Sequence, residues 1–254
     1  MLRLSGKVAF ITGGGTGIGR ACAFAFAREG AEVAIAGRRK EPLDKVAREI
    51  AAAGGKSLAL SCDVTQRSSV ESTLAQAEKH FGRLDTIVNN AGAVVVATAE
   101  HTSDADWNRV LAANLTGTFF VSRAALAPLR MAGGGSIINI GSVLGLVARK
   151  ERAAYCAAKA GVSGLTRAMA LDHAHEKIRV NCICPTLVET ELGMLSIQQT
   201  ANAVAEIQKR IAEIPIGRLG KPEDVARMAV YLASEEASWV TGASFPLDGG
   251  LTAY

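Results

Sequence analysis

The sequence predicts an α/β fold, with one doubly wound parallel sheet of about seven strands covered by helices on both faces. Short, nearly continuous β-branched and apolar runs alternate with Ala- and Leu-rich segments whose apolar residues recur every three or four positions. The 254 residues suit one large domain and leave no length for a typical second one. With 49% hydrophobic residues, the chain can bury strands on both faces.

In chain order, KVAFIT (7–12) reads as the first strand and 18–29 as the first helix. EVAIAG (32–37) and SLALSC (57–62) are the next strands, each followed by a helical pattern, at 41–53 and 66–81. TIVNN (86–90) precedes the long apolar helix 106–131, and SIINIG (136–141) precedes 154–175. IRVNCIC (178–184) is the sixth strand, and the helix 222–234 leads into the last, ASFPLD (243–248). The stretch 186–221 breaks the alternation. Its middle, 196–212, has helical character, so one or two helices are expected there as a substrate-loop insertion, a lid above the sheet within a single domain spanning 1–254.

The 28 basic and 24 acidic residues leave a net charge of +4, too small and scattered for a nucleic-acid footprint but able to favour a phosphorylated cofactor. No unbroken apolar run reaches membrane-spanning length, and MLRLSGKVAFITG lacks the regions of a signal peptide. A cytoplasmic protein without membrane or nucleic-acid partners is expected. Cys22, Cys62, Cys156, Cys182 and Cys184 have no metal-finger spacing and read as reduced thiols, with Cys182 and Cys184 pointing the same way from one strand. No metal site is expected.

TGGGTGIG (12–19) follows the first strand and opens the first helix, the context of a dinucleotide-binding loop. Tyr155 and Lys159 stand one helical turn apart, and Ser142 follows the strand IINIG. A phenol, an ammonium and a hydroxyl can form a proton-transfer centre. A nearby ammonium favours the phenolate, so Lys159 is expected to activate Tyr155. A nucleophilic role for Ser142 is disfavoured, because His80, His101, His173 and His175 all fall in helical or helix-end segments.

Thr12-Gly13-x-x-x-Gly17-x-Gly19, the NNAG at 89–92 and Tyr155-x-x-x-Lys159 together resemble the classical short-chain dehydrogenase/reductase (SDR) family, with a single Rossmann-fold domain, and the resemblance runs from Lys7 to Gly250. It implies an oxidoreductase that passes a hydride between a nicotinamide and a ketone or secondary alcohol, with Asn114, Ser142, Tyr155 and Lys159 catalytic. In the family, Tyr155 exchanges the proton, Lys159 also holds the nicotinamide ribose, and Asn114 helps hold a water joining Lys159 to solvent. Cofactor contacts carried over are Gly13, Gly15, Thr16, Gly17, Ile18, Gly19, Arg38, Arg39, Asp63, Val64, Asn90, Ala91, Gly92, Pro185, Val188 and Thr190, besides Tyr155 and Lys159. Asp63 is expected at the adenine, Asn90 and Ala91 along the adenosine, and Thr190 at the carboxamide. Thr186 departs from the family pattern, which has glycine there.

At the end of the second strand, Gly37, Arg38 and Arg39 stand where an NAD enzyme places an acidic residue. Guanidinium groups match a 2′-phosphate, so NADP(H) is expected over NAD(H). The substrate pocket is expected to draw on Val94, Val95, Ser142, Leu144, Tyr155, Leu187, Leu192 and Leu195, with Leu146 and Met194 nearby. The alternative enzyme is an NAD-dependent sugar or hydroxyacid dehydrogenase in which Arg149, Lys150 or Arg152 reads an anionic group. A dinucleotide-sensing regulator is the non-enzyme alternative, disfavoured because Tyr155 and Lys159 are both present. The resemblance also implies a homotetramer paired through 106–131 and 154–175, with the C-terminal GGLTAY reaching a partner.

Overall fold

A computed structural model describes residues 2–198 and 202–253. Seven strands, β1 (Val8–Thr12), β2 (Glu32–Gly37), β3 (Ser57–Ser61), β4 (Thr86–Asn89), β5 (Gly135–Ile140), β6 (Ile178–Pro185) and β7 (Ser244–Leu247), form one sheet in the order β3-β2-β1-β4-β5-β6-β7. Every neighbouring pair is parallel; Ile11, for instance, lies opposite Ile35 on one side and Val88 on the other. The strand order reverses between β1 and β4, which opens a crevice at their carboxyl ends.

The connecting helices are α1 (Gly17–Arg28), α2 (Lys40–Ala52), α3 (Arg67–Phe81), α4 (Asp104–Leu111), α5 (Gly117–Met131) and α6 (Ala153–His173), followed by α7 (Glu191–Gln198), α8 (Ala203–Ala212) and α9 (Pro222–Ala233). Strand alternation explains why the strands read as unbroken apolar runs. From β1, Ala9 and Ile11 enter one core layer with Phe26 of α1 and Val230 of α9, while Val8 and Phe10 enter the other with Leu74 of α3 and Val121 and Leu129 of α5. Phe10 and Phe26 are fully buried, each contributing ~1.5–3 kcal/mol of transfer free energy.

The expected long helix is present but interrupted. A π-helical turn, Ala112–Thr116, joins α4 to α5. The whole run Asp104–Met131 is long and apolar enough to cross a membrane by length and composition, yet Val121, Ala125 and Leu129 on its inner face pack into the core. The 186–221 stretch carries two helices, α7 and α8. Residues 199–201 of the expected helical span 196–212, and Tyr254 of the C-terminal segment, lie outside the described residues.

Candidate active site

The sheet's carboxyl edge gathers the motifs. The turn after β1 needs glycine at two positions in particular. Gly13 has φ +66, and a Cβ there would lie 2.7 Å from the Asn90 amide; a Cβ on Gly19 would lie 2.2 Å from the Gly13 carbonyl. The Asn90 amide donates to the carbonyls of Thr12 (3.0 Å) and Gly13 (3.2 Å), and the Thr12 hydroxyl accepts from the backbone N–H groups of Asn90 and Ala91. Asn90 is thus occupied in clamping β4 to the glycine-rich turn. Thr16 does not cap α1 with its side chain, and no acidic residue stands in the first turn. Those amides are left without a side-chain acceptor, the arrangement that suits a pyrophosphate. Gly15, Thr16 and Gly17 border an open groove with Arg20, Lys45 and Glu191, and Ile18 lines the cavity beside Tyr155.

Arg38 and Arg39 follow β2 on the surface, with no carboxylate at the strand end. Arg39 pairs at 3.5 Å with Glu191 of α7; both side chains are largely exposed, so the contact is worth little. Asp63 after β3 accepts from the backbone and hydroxyl of Thr65, and Val64 packs where Gly117 leaves room. Thr190 accepts from the Gly193 N–H at 3.0 Å, holding the start of α7, and its methyl borders Gly17. Thr186 has no positive φ, since Glu151 and Lys177 are the only non-glycine residues with one among those described. Threonine therefore fits a backbone that does not need glycine there.

Ser142, Tyr155, Lys159 and Asn114 converge on one cavity, together with Gly92, Pro185, Val188 and Thr190. Ser142 leaves β5 in extended conformation, and its hydroxyl accepts from the Leu144 N–H at 3.1 Å. Tyr155 and Lys159 share a face of α6, and the Lys159 ammonium lies 5.6 Å from the phenol ring centroid. Lys159 is buried and donates to the Ile140 carbonyl at 2.7 Å. Burial pulls its pKa down to about 8, opposed by the Cys182 and Cys184 thiols beneath it. Those thiols do point the same way, 3.6 Å apart.

Burial pushes Tyr155 up to about 12, and what opposes the rise is first the Ser142 hydroxyl and then the charge of Arg152. Asn114 sits in the π-helical turn, 1% exposed, and donates to the carbonyls of Ala93 (2.7 Å) and Val110 (2.8 Å). Among the described residues its buried Oδ1 has no hydrogen-bond partner. An amide oxygen held bare beside the cavity is the kind of acceptor an ordered water fills.

Of the expected pocket residues, Val94, Ser142, Leu144, Tyr155, Leu187 and Leu192 line the cavity. Val95 instead packs with Val110, Ala154 and Ala158, and Leu195, one turn along α7 from Leu192, stays 42% exposed outside the cavity. Leu146 is likewise exposed. The sequence reading missed Arg210, Glu213 and Ile214, which reach the cavity from α8 and the residues after it. It also missed a buried relay in which Asn89 donates to Asn139 and Asn139 to Thr166, tying β4, β5 and α6 together. Alternating asparagines at strand ends were its available signal. None of the four histidines borders the cavity, and no cluster of metal-ligating side chains occurs among the described residues.

A family model described as Enoyl-(Acyl carrier protein) reductase matches residues 13–252. The chain is 42% identical to 2-(S)-hydroxypropyl-CoM dehydrogenase 3 of Xanthobacter autotrophicus, covering 99% of this chain and 98% of the relative. It is 40% identical to meso-2,3-butanediol dehydrogenase of Serratia marcescens, covering 99% and 97% respectively. A crystal structure of a short-chain type dehydrogenase/reductase from Mycobacterium marinum superposes with a TM-score of 0.92 at 38% identity, over 100% of this chain and 98% of that one.

Proposed function

Because the chain belongs to the short-chain dehydrogenase/reductase family, as an oxidoreductase acting on CH–OH groups with a nicotinamide cofactor, we propose that it interconverts a ketone and a secondary alcohol with NADP(H) and uses Tyr155 as general acid and base. The observation that carries this reading is the convergence of Ser142, Tyr155, Lys159 and Asn114 on one cavity beside the glycine-rich turn. When bound, the nicotinamide supplies or accepts the hydride.

The protein's own groups do the rest. Gly13, Gly15, Thr16, Gly17, Ile18 and Gly19 hold the pyrophosphate against the open start of α1, and Arg38 and Arg39 hold the 2′-phosphate. Asp63, Val64, Ala91 and Gly92 border the adenosine, with Asn90 acting through the loop it clamps; Pro185, Val188 and Thr190 border the carboxamide. Ser142 donates a hydrogen bond to the substrate oxygen, stabilising charge as a carbonyl becomes an alkoxide. The phenol gives its proton to that oxygen as the charge develops. In the oxidative direction the phenol must be lowered, and Lys159, buried and one turn away, is the cation able to do it. Asn114 Oδ1 and the Lys159 ammonium support a water path that returns the proton to solvent.

The relatives named 2-(S)-hydroxypropyl-CoM dehydrogenase 3 and meso-2,3-butanediol dehydrogenase both carry a secondary alcohol in the substrate part of their names, and the apolar wall of Val94, Leu144, Leu187 and Leu192 suits the carbon skeleton beside such an alcohol. Residues 186–221 serve as the substrate loop, contributing Leu187, Leu192 and Arg210 to the cavity. The protein assembles as a homotetramer; Phe119 and Met131 of α5 and Leu171 of α6 are exposed apolar side chains on the helices expected to pair. The test is a titration with NADPH and NADH followed by a ketone panel. Tighter NADPH binding that Arg38→Glu reduces by about tenfold or more supports the phosphate assignment; equal affinity for both cofactors sinks it.

A further inference from the structure

Among the described residues, six titratable side chains line the cavity: Arg149, Arg152, Tyr155, Lys159, Arg210 and Glu213. Four are cations and one is a carboxylate, and that carboxylate is already shared. Arg149 pairs with Glu213; Arg210 pairs with Glu206 at 2.6 Å and approaches Glu213 at 4.0 Å. Lys159 bonds to the Ile140 carbonyl and is committed to cofactor and proton transfer. Lys150, the remaining basic residue of this segment, is exposed and does not reach the cavity.

Arg152 is left over. Its side chain is among the buried ones, at 8% exposed, and no carboxylate pairs with it among the described residues. A guanidinium carries five N–H donors. Among the described residues the Arg152 guanidinium makes one hydrogen bond, from Nη1 to the Glu151 carbonyl at 2.9 Å, and Arg152 lines the cavity. An unpaired buried charge is expensive unless a ligand completes it.

The surrounding backbone aims this guanidinium. Glu151 holds φ +61, a left-handed conformation unusual for a non-glycine residue, and its carbonyl also accepts from Ala97 N–H at 3.0 Å. The carbonyl that orients Nη1 is therefore itself fixed. Arg152 precedes α6, whose first turn has no side-chain cap and no acidic residue, so the helix adds positive potential on the same side. Apolar walls at Val94, Leu144, Leu187 and Leu192 strengthen any charge pairing inside.

We infer that Arg152 is an oxyanion subsite of the substrate cavity, and that the ketone or secondary alcohol turned over at Ser142 and Tyr155 carries a carboxylate or sulfonate. The inference rests on the reading of the cavity as the reaction centre. It commits to one arginine and one chemistry, a planar fork of donors closing on two anionic oxygens.

The experiment compares 4-oxopentanoate and 3-oxobutane-1-sulfonate with methyl 4-oxopentanoate, a neutral ketone of the same reach, on the wild-type protein, Arg152→Met and Arg152→Lys. Ligand-observed NMR follows 4-oxopentanoate binding to the same proteins without turnover. At least one anion is expected to exceed the ester in kcat/KM by about tenfold or more, with the preference collapsing in Arg152→Met and partly retained in Arg152→Lys. The ratio between the two anions separates a carboxylate from a sulfonate substrate. Binding of 4-oxopentanoate is expected to disappear in Arg152→Met. An ester used as well as both anions, or an anion preference that persists without the arginine, overturns the subsite while leaving the ketone reaction standing. If no ketone is reduced at all, the reaction reading fails and the NMR comparison alone decides the subsite. Arg152→Lys covers the case in which the methionine variant does not fold.

Discussion

Tyr155 starts from an unfavourable place for a base: its burial holds the phenol near pKa 12, and Lys159 spends its ammonium on the Ile140 carbonyl. Both shifts give pH predictions. Lys159 titrates near 8 in the fold and at 10.5 when unfolded, so between those values the unfolded chain binds more protons and stability rises with pH. Denaturant unfolding from pH 8 to 10 is expected to show that rise in the wild type and lose it in Lys159→Met. Tyr155 has the opposite sign. Its folded pKa is raised, so the folded state keeps a proton that the unfolded chain sheds above pH 10, and stability falls there. Phenolate absorbance of the folded, cofactor-free protein is therefore expected to be the same in wild type and Tyr155→Phe up to about pH 11; a difference appearing near neutrality would contradict the account. Residue identities were legible because the Tyr155/Lys159 spacing and the Ser142 position need no long-range information. The division of labour among Arg149, Lys150 and Arg152 was not, because it depends on Glu213, distant in sequence, claiming Arg149.

At the scale of elements, strand and helix positions followed the sequence periodicity closely, since a sheet buried on both faces writes nearly continuous apolar runs. The π-helical turn at Ala112–Thr116 left no such trace. It is associated with the Asn114 amide bonding the Ala93 carbonyl, a tertiary contact that no local pattern announces. Asn114→Ala removes two amide donations and strands the Ala93 carbonyl, an expected loss of about 1–3 kcal/mol by urea unfolding, with slower turnover. Asp224 supports another junction: it accepts from the Lys221 backbone N–H and pairs with Arg218 and Arg227 at the start of α9, which hold its carboxyl below the ordinary range. That contribution is present at neutral pH and disappears as pH falls below the unfolded carboxylate value. Asp224→Ala is expected to lower stability by about 1 kcal/mol at pH 7, with a smaller effect in acid. The places of Val95 and Leu195 are not legible in the sequence, because which neighbour covers each side chain is set by tertiary packing.

For the molecule as a whole, the switch in strand order between β1 and β4 explains why four separate motifs meet at one edge. Met131 and Leu171 are almost fully exposed apolar side chains on α5 and α6, and Phe119, under the Arg123 guanidinium, is 38% exposed. Sedimentation is expected to give about four times the 26.4 kDa chain mass, and Leu171→Glu combined with Phe119→Glu smaller species; a monomeric wild type would contradict the assembly. The central claim is ketone–alcohol hydride transfer with Tyr155 as the proton donor. The most direct measurement follows ketone-dependent NADPH oxidation by the wild type and Tyr155→Phe, with NADPH binding measured in parallel. The account predicts turnover by the wild type and a loss of at least about 100-fold in the variant, with cofactor binding retained. A variant that turns over ketone as fast as the wild type would contradict it.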